Sequence, residues 1–480
     1  MSSSSLRIDR RAVVALVLLF IVSLPAVTPR IYAADEIEYF AFLRSLWFDR
    51  DLSFDNEYRH FVDSGVAGPD FAGTFLERQT ETGRRINFGT MGCAILWAPF
   101  YAVGDRAARA LNGLGYSVAV DGYSRPYVAA VCYGSAVYGF LALLLSLVVV
   151  RQTGLAVRGS GRSGVMEAAP AIAVWMGTPL LFYMYVAPPF SHAASAFAVA
   201  AFVATWLSVR RRWSIAGFAT LGALGALMTM IREQDLFFVV GPAADVAWAA
   251  WARVRARSQS GANLTPVGAL AGALAAAGTF VLVYTPQAVA YLVLNGRLGP
   301  SQLVARKMNW AAPHAFQVLA DPAHGLLFWT PLAALAIAGL AALLWRPGEP
   351  RRLAVCMLLM VAAQVYVAGS VESWTVAGAF GQRRFVALTV LLVAGLGALA
   401  ALPRRGAPRL ALAAAVVLAV WWNLGLTVQF GSGLMNRQRL ELARNAYTSF
   451  VALPRALPNL AWRYLFDRGS FSERQPASPR

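Results

Sequence analysis

The sequence is dominated by apolar blocks of roughly 17–25 residues, the length that an α-helix needs to cross the ~30 Å hydrocarbon core of a membrane. A surface helix of a soluble protein keeps a polar face, whereas these blocks are apolar on every side. Composition agrees, because 58% of the 480 residues are hydrophobic and 14% are charged, against about 25% charged residues in soluble domains. We therefore predict an all-α polytopic membrane protein.

Eleven membrane spans are predicted from these blocks. They cover residues 12–29, 126–150, 166–186, 192–209, 213–231, 236–252, 265–285, 326–345, 353–369, 385–402 and 409–428. The charged stretch from Arg232 to Asp235 separates the fifth and sixth spans, which could instead form one broken helix. The first block could also be a cleaved signal peptide, because Tyr32-Ala33-Ala34 resembles a cleavage site, but the polytopic body that follows favours an uncleaved span.

Arginine side chains are concentrated at the ends of the blocks, in every second connection. The triplets are Arg7, Arg10 and Arg11; Arg151, Arg158 and Arg162; Arg210, Arg211 and Arg212; Arg253, Arg255 and Arg257; Arg346, Arg351 and Arg352; and Arg404, Arg405 and Arg409. Such loops stay on the cytoplasmic side, so the N-terminus is predicted to be cytoplasmic and, after eleven spans, the C-terminus outside. This corresponds to a multi-pass protein of the bacterial inner membrane. The net charge of +18 then reflects topology, and we expect membrane lipids rather than nucleic acid as partners.

The connection between the first two spans, residues 30–125, is long and carries 13 of the chain's 24 carboxylates. Apolar side chains recur there at helical spacing, which is typical of amphipathic helices that lie in the membrane interface. The apolar faces are formed by Ile37, Phe40, Leu43 and Trp47, and by a second segment from Ile95 to Leu111 with Trp97, Phe100 and Tyr101. We predict one transmembrane domain, residues 1–430, that includes this loop, followed by a short basic tail, residues 431–480.

An acidic pair, Asp35-Glu36, follows the first span. One carboxylate at a membrane edge can accept the proton of an acceptor hydroxyl while the second orients the first. The same residues also suit a helix start, with Asp35 as the N-cap and with Glu36 and Glu38 in the first turn, where the helix dipole favours acids. The two interpretations are compatible, since a helix N-terminus also holds a catalytic acid in place.

Four further motifs follow the acidic pair. They are Asn87 to Gly104 (NFGTMGCAILWAPFYAVG), Met230 to Asp235 (MIREQD), His324 to Pro331 (HGLLFWTP) and Phe380 to Phe385 (FGQRRF). With the short cytoplasmic N-terminus, the first span and the long outer loop, this set resembles the GT-C class of membrane glycosyltransferases, specifically the family 39 protein O-mannosyltransferases and the bacterial aminoarabinose-transferase-like group. The resemblance covers roughly residues 1–400.

The resemblance implies a glycosyltransferase that moves a sugar from a polyprenyl-phosphate donor, with inversion of the anomeric centre, on the extracytoplasmic face. It implies that Asp35 is the general base, with Glu36 as its neighbour, and that cations surround the departing lipid phosphate. The sugar stays open, as does the nature of the acceptor, which is a glycan, a lipid or a protein.

Arg383 and Arg384 suit such a phosphate site, because they lie at the outer end of a span, where topology requires no positive charge. Two adjacent guanidinium groups beside Glu372 and Trp374 can clamp a phosphate, and they could also snorkel to lipid headgroups. A clamp of this kind must lie close to Asp35 in space.

Four other side chains are candidate ligands of the donor phosphate or sugar, namely Arg232, Gln234, Lys307 and His324. Arg232 and Gln234 belong to a charged cluster near the membrane interior, which could also be a self-neutralised turn. Lys307 could be an ordinary solvated lysine. His324, like His192, is a lone histidine, and such residues are more often hydrogen-bonded structural residues than metal ligands.

No metal or other cofactor is predicted, because Asp35 and Glu36 alone provide too few ligands for a divalent cation. The three cysteines lie in or beside apolar stretches and are predicted to be small apolar residues without disulfides. A lipid-linked-glycan flippase or other transporter is the main alternative function, but it would be expected to show repeat symmetry. An O-antigen-ligase-like enzyme would carry its large outer loop late in the chain, and a membrane scaffold also stays open.

Overall fold

The computed structural model describes residues 9–154, 165–255, 264–402 and 406–471. The end of the basic tail, from residue 472, lies outside these residues. Six of the arginines that predict the orientation also lie outside them, namely Arg7, Arg158, Arg162, Arg257, Arg404 and Arg405. The described chain is helical, and β pairing within it is limited to isolated bridges such as that between Gln79 and Arg85. The predicted all-α fold is confirmed for these residues.

Within the described residues, seven helices are long and apolar enough to cross a membrane. They are Arg125–Gln152, His192–Val209, Glu233–Val254, Pro266–Asn295, Glu349–Ser370, Arg383–Ala400 and Ala407–Gly431. Each coincides with a predicted span, which supports a helical membrane protein. The other four predicted spans fall on shorter helices, so the number eleven stays a prediction.

The α-helices are, in chain order, α1 (Arg10–Ser23), α2 (Ala34–Arg44), α3 (Asp55–Asp63), α4 (Pro69–Phe75), α5 (Gly92–Gly113), α6 (Arg125–Gln152), α7 (Val165–Gly177), α8 (Leu180–Tyr185), α9 (His192–Val209), α10 (Ile215–Ile231), α11 (Val240–Arg255), α12 (Pro266–Asn295), α13 (Gln302–Arg306), α14 (Ala315–Ala320), α15 (Leu326–Trp329), α16 (Pro331–Ala342), α17 (Glu349–Ser370), α18 (Thr389–Ala400), α19 (Ala407–Gly431), α20 (Leu442–Tyr447) and α21 (Leu453–Phe466). Short 3-10 or π-helical turns extend several of them, and one of these, Glu233–Val239, leads directly into α11.

The chain divides into two compact units. Unit 1 contains Met1–Val27, Ala142–Val186 and Trp310–Arg480, and unit 2 contains Thr28–Leu141 and Ala187–Asn309. Helices α2–α5 and α9–α13 therefore lie in unit 2, whereas α1, α7, α8 and α14–α21 lie in unit 1, and α6 contributes to both. The predicted domain 1–430 thus consists of two units, and the basic tail, as far as it is described, belongs to the first.

The loop 30–125 folds as the helices α2–α5, and protein buries part of its apolar faces. Ile37, Phe40 and Leu43 are at most 3% exposed, and Trp97 and Tyr101 of the second segment are fully buried. The rings of Phe40 and Tyr101 pack edge to face with 6.0 Å between their centroids. The predicted helical periodicity is correct. Trp47 and Ile95, by contrast, are 38% and 42% exposed, so the predicted placement of these faces in the membrane interface stays a prediction.

Glycines allow close helix packing in each unit. In unit 2, a Cβ on Gly222 of α10 would lie 2.1 Å from the carbonyl oxygen of Ala276 in α12. In unit 1, a Cβ on Gly339 of α16 would lie 2.0 Å from the carbonyl oxygen of Gly395 in α18. Backbones approach in this way where membrane helices pack through small residues. All three cysteines are buried and free, which confirms their prediction as small apolar residues.

Candidate functional site

Helix α2 begins at a turn that Glu36 holds together. The N-cap residue is Ala33, which has an extended backbone. One carboxylate oxygen of Glu36, Oε2, accepts hydrogen bonds from the backbone N–H groups of Tyr32 (2.8 Å) and Ala33 (3.1 Å). The predicted cap at Asp35 is therefore wrong, because Asp35 already lies in the first turn and Glu36 satisfies the backbone donors at the helix start.

Glu36 is fully buried, and this burial raises the pKa of its carboxyl group to about 8. The two backbone hydrogen bonds and the nearby charge of Arg30 lower the pKa but do not cancel the effect of burial. The second oxygen, Oε1, has no hydrogen-bond partner within the described part of the chain. A carboxyl group with this pKa is mostly protonated at neutral pH, so Glu36 is an uncharged structural neighbour of Asp35.

Asp35 is partly exposed in the first turn of α2, and Tyr39 lies one turn later on the same side of the helix. Burial raises the pKa of the Tyr39 hydroxyl, and the neighbouring Cys93 and the negative charge of Asp35 raise it further. The positive charge of Arg232 and a hydrogen bond with Ser191 oppose this shift. Asp35 and Arg232 are therefore both close enough to act electrostatically on the Tyr39 hydroxyl.

Arg232 caps the end of α10, where its extended backbone directs the side chain towards α9. Its guanidinium Nη1 lies 3.1 Å from Nδ1 of His192, and Nη2 donates to Oε1 of Gln234 at 2.9 Å. A guanidinium can only donate, so Nδ1 of His192 accepts and the imidazole is the neutral tautomer with its proton on Nε2. Two neutral acceptors thus hold the guanidinium of Arg232.

The acids that follow Arg232 bind other helices. Asp235 is fully buried, and its Oδ2 accepts a 2.6 Å hydrogen bond from the Ser195 hydroxyl on α9. The carboxylate of Glu233 accepts a hydrogen bond from the hydroxyl of Tyr291 on α12. The side chains of residues 232–235 thus join the ends of α9, α10 and α12, and the interpretation of this stretch as a self-neutralised turn stays a hypothesis.

The second motif, which begins at Asn87, connects the acidic pair to the arginine cluster. A Cβ on Gly92 would lie 2.4 Å from the carbonyl carbon of Met230, so only glycine permits this approach to the end of α10. At the other end of the segment, Nδ2 of Asn87 donates to the carbonyl oxygen of Glu38 in α2 at 3.0 Å. The first three motifs therefore converge within unit 2.

Lys307 lies in the same unit, at the C-cap of α13, and is exposed. Its Nζ is 5.6 Å from the centroid of the Phe88 ring, and the Phe88 N–H donates to the carboxylate of Glu38 at 2.5 Å. The structure thus brings Lys307 to the second motif. Its exposure equally fits an ordinary solvated lysine.

The fourth and fifth motifs meet in unit 1 through Gln382. This side chain is fully buried, and its Nε2 donates to the carbonyl oxygens of His324 (3.0 Å) and Trp374 (2.8 Å). The imidazole of His324 lies edge-on to the Trp374 ring, with 6.0 Å between the ring centroids. His324 therefore belongs to an aromatic, hydrogen-bonded cluster.

Arg383 and Arg384 follow Gln382 at the start of a 3-10 turn and are partly exposed. Arg384 donates through Nη1 to the carbonyl oxygen of Ser373 (2.8 Å) and through Nη2 to its hydroxyl (3.1 Å). One arginine of the predicted clamp thus supports a loop of its own unit. Arg383 and Arg384 lie in unit 1 and Asp35 lies in unit 2. That the pair lies close to Asp35 stays a prediction.

Three residues of this arrangement were not predicted as parts of the site, namely Tyr39, Ser191 and His192. The spacing of four residues between Asp35 and Tyr39 is a sequence signal, because it places both on one side of a helix. Ser191 and His192 carry no such signal, since only tertiary packing brings the start of α9 to α2. Their arrangement makes the first turn of α2, the start of α9 and the end of α10 the candidate site.

Within the described residues, no group of three or more His, Cys, Asp or Glu side chains is placed to hold a metal ion. Comparison with protein-family models finds no match for the chain, and comparison with curated proteins finds none either. Function must therefore be argued from the motifs and from the geometry of the site.

Proposed function

We propose that this chain is an inverting membrane glycosyltransferase that moves a sugar from a polyprenyl-phosphate donor to an acceptor on the extracytoplasmic side of the bacterial inner membrane. The proposal includes the orientation and the eleven spans that the sequence predicts. The acceptor is a glycan, a lipid or a protein. Asp35 is the general base, and Glu36 fixes the turn from which Asp35 projects.

One observation carries the proposal. The charges of Asp35 and Arg232, which are almost two hundred positions apart in the chain, both act on the hydroxyl of Tyr39 within unit 2. A transferase needs a base for the acceptor and a cation for the leaving phosphate in one place. An acid and a guanidinium that both act on one hydroxyl match that requirement, and a helix cap alone would not need the arginine.

The residues have distinct tasks in the proposed reaction. The acceptor oxygen forms a bond to the anomeric carbon while the bond from that carbon to the phosphate oxygen breaks. The electron pair leaves with the polyprenyl phosphate, and the acceptor proton moves to Asp35. Arg232 stabilises the phosphate charge, and His192 and Gln234 hold its guanidinium in position.

The other side chains predicted to bind the donor phosphate or sugar have the same roles in this proposal. Arg383 and Arg384 are the phosphate clamp that the family resemblance implies, and their approach to Asp35 is an expectation for experiment. His324, in the Gln382 cluster of unit 1, stays an expected ligand of the sugar or phosphate, and Lys307 adds an exposed positive charge next to the second motif in unit 2.

The decisive variant is Asp35→Asn, which preserves the size of the side chain but removes its basicity. We expect the initial rate of glycan transfer to fall by about a hundredfold or more. The rate is measured by mass-spectrometric profiling of glycolipids and glycoproteins from a deletion strain in which the chain is re-expressed. Asp70→Asn is the matched control, because Asp70 is an exposed acid in the first turn of α4 in the same loop.

A normally inserted Asp35→Asn protein with full activity would exclude Asp35 as the base. A deletion strain with unchanged glycans would exclude a glycosyltransferase altogether. Retention of lipid-linked glycan on the cytoplasmic face would instead favour the flippase alternative.

A further inference from the structure

The described part of the basic tail contains an amphipathic helix with an exposed apolar side. Helix α21 runs from Leu453 to Phe466 and carries Pro454, Pro458, Trp462 and Leu465 at spacings of four, four and three residues. At 100° per residue these side chains form one stripe along the helix. All four are exposed, with Trp462 at 64% and Leu465 at 47%.

The other side of α21 is held against the end of the first apolar block. The hydroxyl of Tyr464 donates to the carbonyl oxygen of Ala26 at 2.7 Å, and Nη1 of Arg468 donates to that of Val27 at 2.6 Å. Leu453, at the start of the helix, is 1% exposed. These contacts lie within unit 1 and place α21 beside residues 24–27, where the predicted first span (12–29) ends.

Charge around the helix is strongly positive. The segment 437–468 contains six arginines and two acids: Arg437, Arg439, Arg444, Arg455, Arg463 and Arg468 with Glu441 and Asp467. A helix of this length is about 21 Å long at 1.5 Å per residue, too short to cross a ~30 Å core. Exposed tryptophan and leucine beside arginines, at the end of a membrane span, match the boundary between acyl chains and anionic headgroups.

We propose that α21 lies flat in the lipid interface, with its stripe among the upper acyl chains and with Arg455 against anionic headgroups. The tail then anchors the end of the first span to the membrane surface. The partner is the anionic leaflet itself, because the positive charge complements its headgroups and because the helix is attached to the end of a predicted span. This inference is independent of the catalytic assignment.

The test places a fluorophore on either side of the helix in the full-length protein, reconstituted into phospholipid vesicles. Leu465→Cys carries the label on the stripe, and Ala456→Cys is the matched control, since nine residues place it on the opposite, exposed side. The three native cysteines are buried, so the unsubstituted chain serves as the labelling blank. Trp462→Cys is a second stripe position in case Leu465→Cys does not fold.

Quenching by nitroxides on the upper acyl chain should be at least about twofold stronger for the stripe label than for the control. The difference in quenching between the two labels should increase when phosphatidylglycerol is added to phosphatidylcholine vesicles. This increase should be smaller in the Arg455→Gln variant. Equal quenching at both positions, or quenching of the stripe label by aqueous iodide, would overturn the proposal. Disulfide cross-linking between two copies through position 465 would overturn it as well, because a second copy would then cover the stripe.

Discussion

The two units of this protein each gather motif residues, but they treat charge differently. Unit 2 buries several of its carboxyl groups, among them Glu36 and Glu57, although others such as Asp70 and Glu77 are exposed. It holds the guanidinium of Arg232 with the neutral acceptors His192 and Gln234. Unit 1 leaves its arginine pair partly exposed and uses Arg384 to bind a loop. Buried ionisable groups are costly and are concentrated at functional sites, so unit 2 is the better candidate for chemistry.

The first test of this contrast is the pH dependence of stability. Burial raises the pKa of Glu36 to about 8 and that of Glu57 to about 7, whereas neighbouring hydrogen bonds lower the pKa of Glu441 in unit 1. A carboxyl group whose pKa is raised on folding contributes its full stabilisation when the pH is below its pKa in the unfolded chain, near 4.5. This stabilisation is lost as the pH rises through the pKa of the folded protein. Unit 2 should therefore lose several kcal/mol of stability between about pH 4.5 and pH 8, at about 1.4 kcal/mol per pKa unit.

Thermal unfolding of the purified protein in detergent, followed at several pH values, measures this effect. Glu36→Gln keeps an acceptor for the backbone N–H groups of Tyr32 and Ala33 but cannot ionise, so its stability should depend less on pH. Glu77→Gln, an exposed residue of the same loop, is the control and should leave the dependence unchanged. An identical pH dependence in Glu36→Gln and the parent would show that Glu36 does not carry the effect.

A second test compares the arginines of the two units. Arg232→Gln should reduce the transfer rate by about a hundredfold, or about 2.7 kcal/mol, because a half-buried guanidinium acts on phosphate through a low dielectric. Arg384→Gln should reduce it by about tenfold, since its guanidinium already binds the carbonyl and hydroxyl oxygens of Ser373. The rates are measured by the same profiling of the re-expressed protein. Arg232→Lys is the variant that keeps the positive charge but loses the planar guanidinium group.

The reverse order, with Arg384→Gln more damaging than Arg232→Gln, would transfer the main phosphate contact to unit 1. Binding of a fluorescent polyprenyl phosphate to the purified variants separates loss of donor affinity from loss of turnover.

A third test concerns the close approach that joins the motifs of unit 2. Gly92→Ala should destabilise the protein by about 2 kcal/mol, because its Cβ would lie 2.4 Å from the backbone of Met230. Gly113→Ala, at the other end of α5, is the control, since a Cβ there has no neighbour within 4 Å. Thermal unfolding distinguishes the two, and equal stability of both variants would contradict the tight contact.

The smallest effect is expected for Lys307. Its side chain is exposed and lies over the Phe88 ring, so Lys307→Gln should lower the transfer rate by about threefold or less. Lys307→Arg should retain the parental rate because it keeps the charge. A loss in Lys307→Gln as large as that in Arg232→Gln would make Lys307 a principal ligand of the donor.

The length and uniform apolarity of the blocks determined the helical membrane fold, because the bilayer thickness sets the length of a span. Periodicity likewise determined that the loop 30–125 is helical, with Ile37, Phe40 and Leu43 on one face. What covers that face was decided by tertiary structure. An apolar stripe has the same pattern whether lipid or protein buries it, so the sequence could not distinguish the two.

The same limit applies to the candidate site. The acidic pair and the Met230 to Asp235 motif are evident in the sequence, but the roles within the pair are not: burial makes Glu36 the neutral cap and leaves Asp35 accessible. The neighbours of Arg232 depend on helix ends that are distant in the chain, such as the start of α9 at His192. Residue type determines which chemistry is available, whereas the pKa values and partners depend on burial and contact, which only the folded chain establishes.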